Sequence, residues 1–204
     1  MDDFENTRRV VIAHQEIPVY IRALESLLDA LKPRVLVDAR MRKHSVPEIQ
    51  HGLAPLTIAL GPGFVAGRHA DIVIETSWDD LGRVITTGSS LPLSGEPGEI
   101  AGHARDRYVY APIAGVFRTT ARIGDVVQKG QPVALVESAV LHAPLDGVLR
   151  GLTRDGVPVS VRTKVIEVDP RGKSEGVRGI IDRSRRIAAA AFAAIRTWED
   201  RQPR

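Results

Sequence analysis

The chain has no cysteine. A thiolate nucleophile, a disulfide and a cysteine-bound metal are therefore excluded. Aromatic residues make up 4% of the 204 residues, and there are two methionines. No apolar run approaches the roughly 20 residues that span a bilayer. The start, MDDFENTRR, is acidic and polar, where a secretory signal is basic and then apolar. The expectation is a cytoplasmic protein with no membrane partner. Neither G-x-G-x-x-G nor G-x-x-x-x-G-K-[ST] occurs, and there is no G-x-S-x-G elbow. The six histidines (His14, His44, His51, His69, His103 and His142) include no i,i+4 pair and no metal-site spacing. His44 and His51 share one irregular segment and are read as surface residues.

What is present is ordinary for a globular protein: 43% hydrophobic and 26% charged residues, enough for a real core. The net charge of +3 hides an asymmetry, because residues 171–204 hold nine Lys/Arg against four Asp/Glu. With few aromatics beside it and no recognition motif, this tail reads as a solvated helix face, and no nucleic-acid partner is expected.

The strongest pattern is an internal repeat. Residues 111–136 (APIAGVFRTTARIGDVVQKGQPVALV) align without a gap on residues 143–168 (APLDGVLRGLTRDGVPVSVRTKVIEV) at an offset of 32. Ala111, Pro112, Gly115, Val116, Arg118, Arg122, Gly124 and Val133 each meet an identical residue. Short β-branched runs alternate with Gly/Pro turns, so each copy is a set of short strands that needs the other to bury its apolar face. The pattern resembles the barrel-sandwich hybrid of biotinyl and lipoyl domains over roughly residues 103–170. Those domains carry a lysine at the hairpin joining the copies. Here the joining segment is Glu137-Ser138-Ala139-Val140-Leu141-His142, so no biotin or lipoyl attachment is expected.

Before the repeat, the chain reads as an α/β domain with a mostly parallel sheet. Val10–Ala13 is a candidate strand, and Pro18 begins the next turn or helix. Ile21, Leu24, Leu28 and Leu31, widened by Leu27, predict a helix that ends at Lys32-Pro33. Val35–Val37, Leu56–Leu60, Ile72–Ile74 and Gly82–Ile85 predict strands. Residues 88–102 (GSSLPLSGEPGEIAG) mark a boundary. The expected organisation is an α/β domain over 1–98, a barrel-sandwich hybrid over 99–172, and a C-terminal helix and basic tail over 173–204. In that helix Ile180, Ile181, Ser184, Ile187, Ala188, Ala191, Phe192, Ile195 and Trp198 are assigned to one broad face. The face is expected to pack on the α/β part, with a homo-oligomer contact as the sharper alternative.

Chemistry is sought where polar residues follow buried strands, since strand carboxyl ends form the ligand crevice of an open parallel sheet. Asp38 and Arg40 follow the first strand, Gly61-Pro62-Gly63-Phe64 the second and Glu75 the third. Glycines there let backbone N–H groups approach an anion. These residues, with Arg83 as a second anion contact, form the candidate cofactor-binding set, although a structural turn explains the GPGF segment as well. No carboxylate pair can be assigned acid and base roles by spacing, so catalytic residues are not assigned.

Taken in order, VLVDARMRK, ALGPGFVAG, VIETSWDDLGRVI, LPLSGEPGEIAG, APIAGVF, the segment Gly124 to Pro132, PLDGVLRGL and VDPRG resemble the accessory proteins of the selenium-dependent molybdenum hydroxylase system. The resemblance runs from about residue 18 to 196. It implies a role in maturing a xanthine dehydrogenase-like enzyme, with that hydroxylase or its maturation proteins as partners and the molybdopterin cofactor as cargo. Family members usually begin with a glycine-rich dinucleotide-type turn and its helix, so the chain is read as a short form. Ser77-Trp78-Asp79-Asp80 stands where the family has Arg-Gly-His, Pro92-Leu93-Ser94-Gly95 where it has Pro-Asn-Thr-Gly, and Ala188–Ala191 where its last helix is glycine-rich. The leading reading is a binding protein that takes the molybdopterin cofactor, or the apo-enzyme, in this crevice, with Arg40 as fork donor to a phosphate, Asp38 orienting it or bonding the pterin, and the GPGF amides as cradle. A scaffold with no small-molecule ligand is the alternative, and an enzyme using Asp38 or Glu75 as a base is a third reading.

Overall fold

The computed structural model describes residues 17, 19, 23–41, 47–93, 98–172, 177 and 179–202. The strand expected at Val10–Ala13, together with Pro18, Ile21, His14, His44, residues 94–97, Lys173, Glu175, Arg178 and Arg204, lies outside them. The chain divides into two compact units, one drawn from residues up to Leu93 together with those from Arg183 onward, the other Ser94–Asp182.

In the first unit, helix α1 (Leu24–Leu31) stops where Lys32 turns left-handed at φ 42° and its N–H returns to the Leu28 carbonyl at 2.9 Å. Pro33 follows and cannot continue the helix. Strands β1 (Val35–Asp38), β2 (Leu56–Leu60), β3 (Ile72–Ile74) and β4 (Val84–Ile85) form a sheet in the order β1-β2-β3-β4. The pairs β1/β2 and β2/β3 are parallel, and β3/β4 is antiparallel.

Every residue of β2 is buried, because both faces of the sheet are covered. On one side Leu56, Ile58, Leu60, Ile74 and Leu81 pack with Ile187, Ala191 and Ala194 of helix α2 (Asp182–Glu199). On the other Ala59 and Val73 pack with Phe64, Ala70 and Ile85. The buried face of α2 is rotated from the one expected. Ala188 and Phe192 are exposed, while Ala194, left out of the sequence stripe, is buried. Alanines at 188–191 and 193–194 carry little signal about which side faces inward, so the periodicity located the helix better than its orientation.

The second unit holds β5 (Tyr108–Tyr110), β6 (Gly115–Arg118), β7 (Val126–Val127), β8 (Pro132–Val136), β9 (Ala139–His142), β10 (Gly147–Leu152), β11 (Pro158–Val159) and β12 (Lys164–Asp169). Two open sheets result, ordered β5-β12-β10-β7 and β11-β6-β8-β9. Both feed one core that contains Phe117, Val136, Leu141 and Val159 from the second sheet and Val127, Leu149, Ile166 and Val168 from the first. The offset of 32 places β6 on β10, β7 on β11 and β8 on β12, and it also places β5 on residues 140–142 of β9. The structural repeat is therefore one strand longer than the sequence repeat. Each sheet takes its two central strands from one copy and its two edge strands from the other.

The expected fold class is corrected by this arrangement. The described residues are mostly β, with three sheets of four strands, none of them closed, one short α-helix near the start and one α-helix at the end. Parallel strands are usually joined by helices. Here the stretch 61–71 and the described parts of the β1–β2 connection, 39–41 and 47–55, are loops and turns. Gly61, Pro62, Gly63 and Gly67 in one, and Pro47, Gly52 and Pro55 in the other, are poor helix formers. Among the described residues no closed barrel forms, because each sheet of the second unit ends on strands with a neighbour on one side only.

Candidate strand-end site

Because β1, β2 and β3 run parallel, Asp38, Gly61 and Glu75 leave the sheet at the same edge. The loops touch there: a Cβ on Gly61 would lie 3.4 Å from the Met41 Cα, and the glycine's φ of +131° is one that L side chains rarely adopt. The structure thus brings the DAR and GPGF segments together.

Their polar groups, however, are turned on one another. The Asp38 carboxylate, 7% exposed, accepts Arg40 Nε–H at 2.9 Å, Nη2–H at 2.6 Å and the Arg40 backbone N–H at 3.1 Å. Glu48 accepts a further Nη2–H bond at 2.9 Å. The hydrogen bonds that Arg40 donates to Asp38 raise its pKa above the ordinary value, opposed by desolvation and helped by Glu48. The guanidinium is held as a strand-end clasp. The same clasp recurs in the second unit, where Arg171 donates its backbone N–H, Nε–H and Nη2–H to Asp169 at 3.1, 2.9 and 2.6 Å. VDAR and VDPR are thus one local device at two strand ends. Their shared D-x-R spacing after an apolar run is the sequence signal that would have exposed it.

The glycine turn is closed by Ser90 and Leu91, from the stretch that the sequence marked only as a boundary. Gly63 N–H donates to the Leu91 carbonyl at 3.2 Å, and Phe64 N–H donates to Ser90 Oγ at 3.1 Å. Ser90 is buried and returns its N–H to the Phe64 carbonyl at 2.9 Å. Two of the amides expected to cradle a phosphate, those of Gly63 and Phe64, are committed to the protein. Phe64 is buried and sits edge-on to His69. His69 Nδ1 accepts the Val65 N–H at 2.9 Å, which requires that nitrogen unprotonated. Desolvation, then the Arg68 charge, lowers its pKa.

Glu75 is 1% exposed. One carboxylate oxygen accepts the N–H groups of Thr76 and Ser77 at 2.7 and 2.8 Å, and the other accepts the Leu91 N–H at 2.7 Å. It is a staple between two loops and presents no carboxylate to a crevice. Arg83 is half exposed and lies 3.3 Å from Asp80, three residues back. His51 pairs with Asp71 at 3.1 Å, and the second oxygen of Asp71 binds the Thr57 hydroxyl and N–H at 2.6 and 2.7 Å. Thr57 is fully buried, so this trio ties the β2 and β3 ends together. Among the described residues no group of three or more His, Asp or Glu is arranged to hold a metal ion.

No helix of the described residues is long and apolar enough to cross a membrane. No family model matches the chain. It is similar to the uncharacterized protein YqeB of Escherichia coli (strain K12), with 40% identity over 182 residues. The match takes in 88% of this chain and 33% of that protein, so the chain spans about a third of the length of the curated relative it resembles.

Proposed function

We propose that the chain is an accessory module in the maturation of a molybdenum hydroxylase and that it works by binding protein rather than by bond-making chemistry. The pathway rests on the ordered motifs from VLVDARMRK to VDPRG. The mode rests on one observation: the polar groups at the strand ends are spent on each other. Asp38 and Glu48 share Arg40, three backbone amides share Glu75, and Leu91 and Ser90 close the glycine turn. Of the two cargoes, apo-hydroxylase and molybdopterin cofactor, this favours the apo-hydroxylase. Arg40 is held by two carboxylates, so an incoming phosphate must break a bidentate pair to reach it.

Size-exclusion chromatography of the chain with an apo-hydroxylase, followed by molybdenum and pterin analysis of each fraction, tests the proposal. The expected result is a complex with the apo-enzyme and no cofactor retained by the chain alone. Near-stoichiometric molybdopterin on the isolated chain, lost in Arg40→Ala, would overturn the protein-binding mode in favour of a cofactor crevice. Absence of any complex with the apo-enzyme would remove the pathway assignment.

A further inference from the structure

In the sheet β5-β12-β10-β7, Ile166 and Val168 of β12 face the core, so Glu167 and Asp169 turn to the other side. Four cations gather on these two carboxylates. Glu167 accepts Arg107 Nη1–H at 2.7 Å and Lys164 Nζ–H at 3.0 Å, while Asp169 is occupied by Arg171. The fourth cation, Arg150, stands 3.7 Å from Glu167 and 3.6 Å from Asp169, too far for a hydrogen bond, and donates none to any described residue. Its side chain is 22% exposed, so the stem is already held while the guanidinium fork is unspent. The described stretch 98–172 has ten Lys/Arg and eight Asp/Glu, and this cluster of four and two carries the whole excess.

The repeat shows how Arg150 comes to be there. In the first copy Phe117 pairs with Val136 and Arg118 with Leu135. The same register in the second copy would set Arg150 on Glu167. Instead Leu149 pairs with Val168 and Gly151 with Glu167. Arg150 is thus the extra residue of a β-bulge, a device that re-aims a side chain. Glycine suits the place opposite Glu167, since a Cβ on Gly151 would lie 3.1 Å from the Glu167 Cβ.

We propose that this face docks an acidic segment of the protein partner, one carboxylate of which takes the Arg150 fork. The inference rests on the protein-binding mode proposed above and adds the surface and the partner's chemistry. A guanidinium already held by its neighbours loses little freedom when it closes a bidentate pair. The local excess of positive charge steers an acidic partner to this side. Arg40 and Arg171, by contrast, have each closed the fork on an aspartate.

Calorimetric titration of the full chain into the same apo-hydroxylase, at low and at raised sodium chloride, tests this. Arg150→Gln should weaken the complex by about 10- to 100-fold, the scale of a lost charge-assisted hydrogen bond. Arg150→Lys keeps the charge beside Glu167 and Asp169, and with it the fold, but lacks the fork, and should weaken binding by about 5-fold. Arg118, the repeat-equivalent arginine on the other sheet, is 61% exposed and 3.6 Å from Asp155. Arg118→Gln removes the same charge and should bind as the wild type does. Added salt should weaken the wild-type complex more steeply than that of Arg150→Gln. Arg150 variants that bind like the wild type, or an Arg118→Gln chain weakened as much as Arg150→Gln, overturn the inference while the complex itself stands. Absence of a wild-type complex removes the protein-binding reading, and this inference with it.

Discussion

At the scale of single residues, the repeat supplies its own controls. Gly130 in the first copy and Arg162 in the second occupy the same place, with φ of 80° and 67°. Their N–H groups make the same bond, to Ala143 and Ala111 carbonyls at 2.9 and 2.8 Å. The left-handed conformation costs an L side chain of order 1 kcal/mol that glycine avoids. Arg162→Gly should therefore raise the stability of the second unit by about 0.5–1 kcal/mol, read as an upward shift in its melting temperature. A lower melting temperature would mean that the Arg162 side chain makes a contribution larger than its backbone strain. Glu75→Ala should cost about 3 kcal/mol or more, because it leaves three amides without their acceptor. Chemical denaturation measures it, and a change below about 1 kcal/mol would refute the staple.

His69 sets a pH dependence with a definite sign. Burial lowers its folded pKa below the ordinary 6.5, so the unfolded chain binds the proton more readily. The stability it contributes is complete above pH 6.5 and is lost as pH falls from there toward the folded value. Asp169 acts lower down: the Arg171 hydrogen bond holds its pKa below 3.8, and that contribution disappears as pH falls below 3.8. Unfolding free energies measured from pH 7.5 to 5 should decline with acid for the first unit. A flat profile would show His69 to titrate alike in both states. None of this was legible in the sequence, where His69 is one of six histidines without spacing. Burial and the Val65 amide define its state, and both are products of tertiary packing.

At the scale of elements, α2 separates two roles along one helix. Ile187→Ala should destabilise the first unit by about 2–4 kcal/mol, as buried large-to-small changes do, whereas Phe192→Ala should leave stability within about 0.5 kcal/mol. Paired thermal melts decide it, and equal effects would mean that the buried face is misassigned. Deleting the helix is consequently no clean test of partner binding, since it removes Ile187, Ala191 and Ala194 from the core. The strands were more legible than the helices' faces. Leu56–Leu60 and Ile72–Ile74 were readable as buried runs because a strand covered on both sides needs apolar residues throughout. That the described residues of these connections form no helix was present in the glycines and prolines of 47–71 but was outweighed by the parallel-sheet precedent. The clasp at Asp38–Arg40 was seen as a site because its residues are those of a phosphate fork. The same D-x-R pairing recurs at Asp169–Arg171, and Glu48 adds a second acceptor for Arg40.

At the scale of the whole molecule, the second unit carries a buried cation that no motif announced. Arg107 is 3% exposed and bonds Glu167 at 2.7 Å, the His103 and Gly98 carbonyls and the Tyr108 hydroxyl. Burial pushes the Glu167 pKa up, but Lys164 and Arg107 outweigh it and hold the carboxyl below its usual range. Arg107→Ala should cost about 3–5 kcal/mol by leaving Glu167 with a buried, less compensated charge. Arg107→Ala with Glu167→Leu should recover part of that loss. Double-mutant denaturation curves measure the coupling, and simple additivity would mean that the pair is not a unit.

The exchange of edge strands between the two copies has a consequence for how this unit assembles. One copy alone, a run of four strands, has no complete sheet and can obtain one only from another such run. Two separate copies would meet at a rate set by their dilution, and their pairing would melt away as protein became scarce. Joined through Glu137–Ser138, each copy finds the other at a fixed effective concentration. The unit therefore has the architecture of a strand-exchanged dimer written into one polypeptide, folding as readily at one molecule per cell as at thousands.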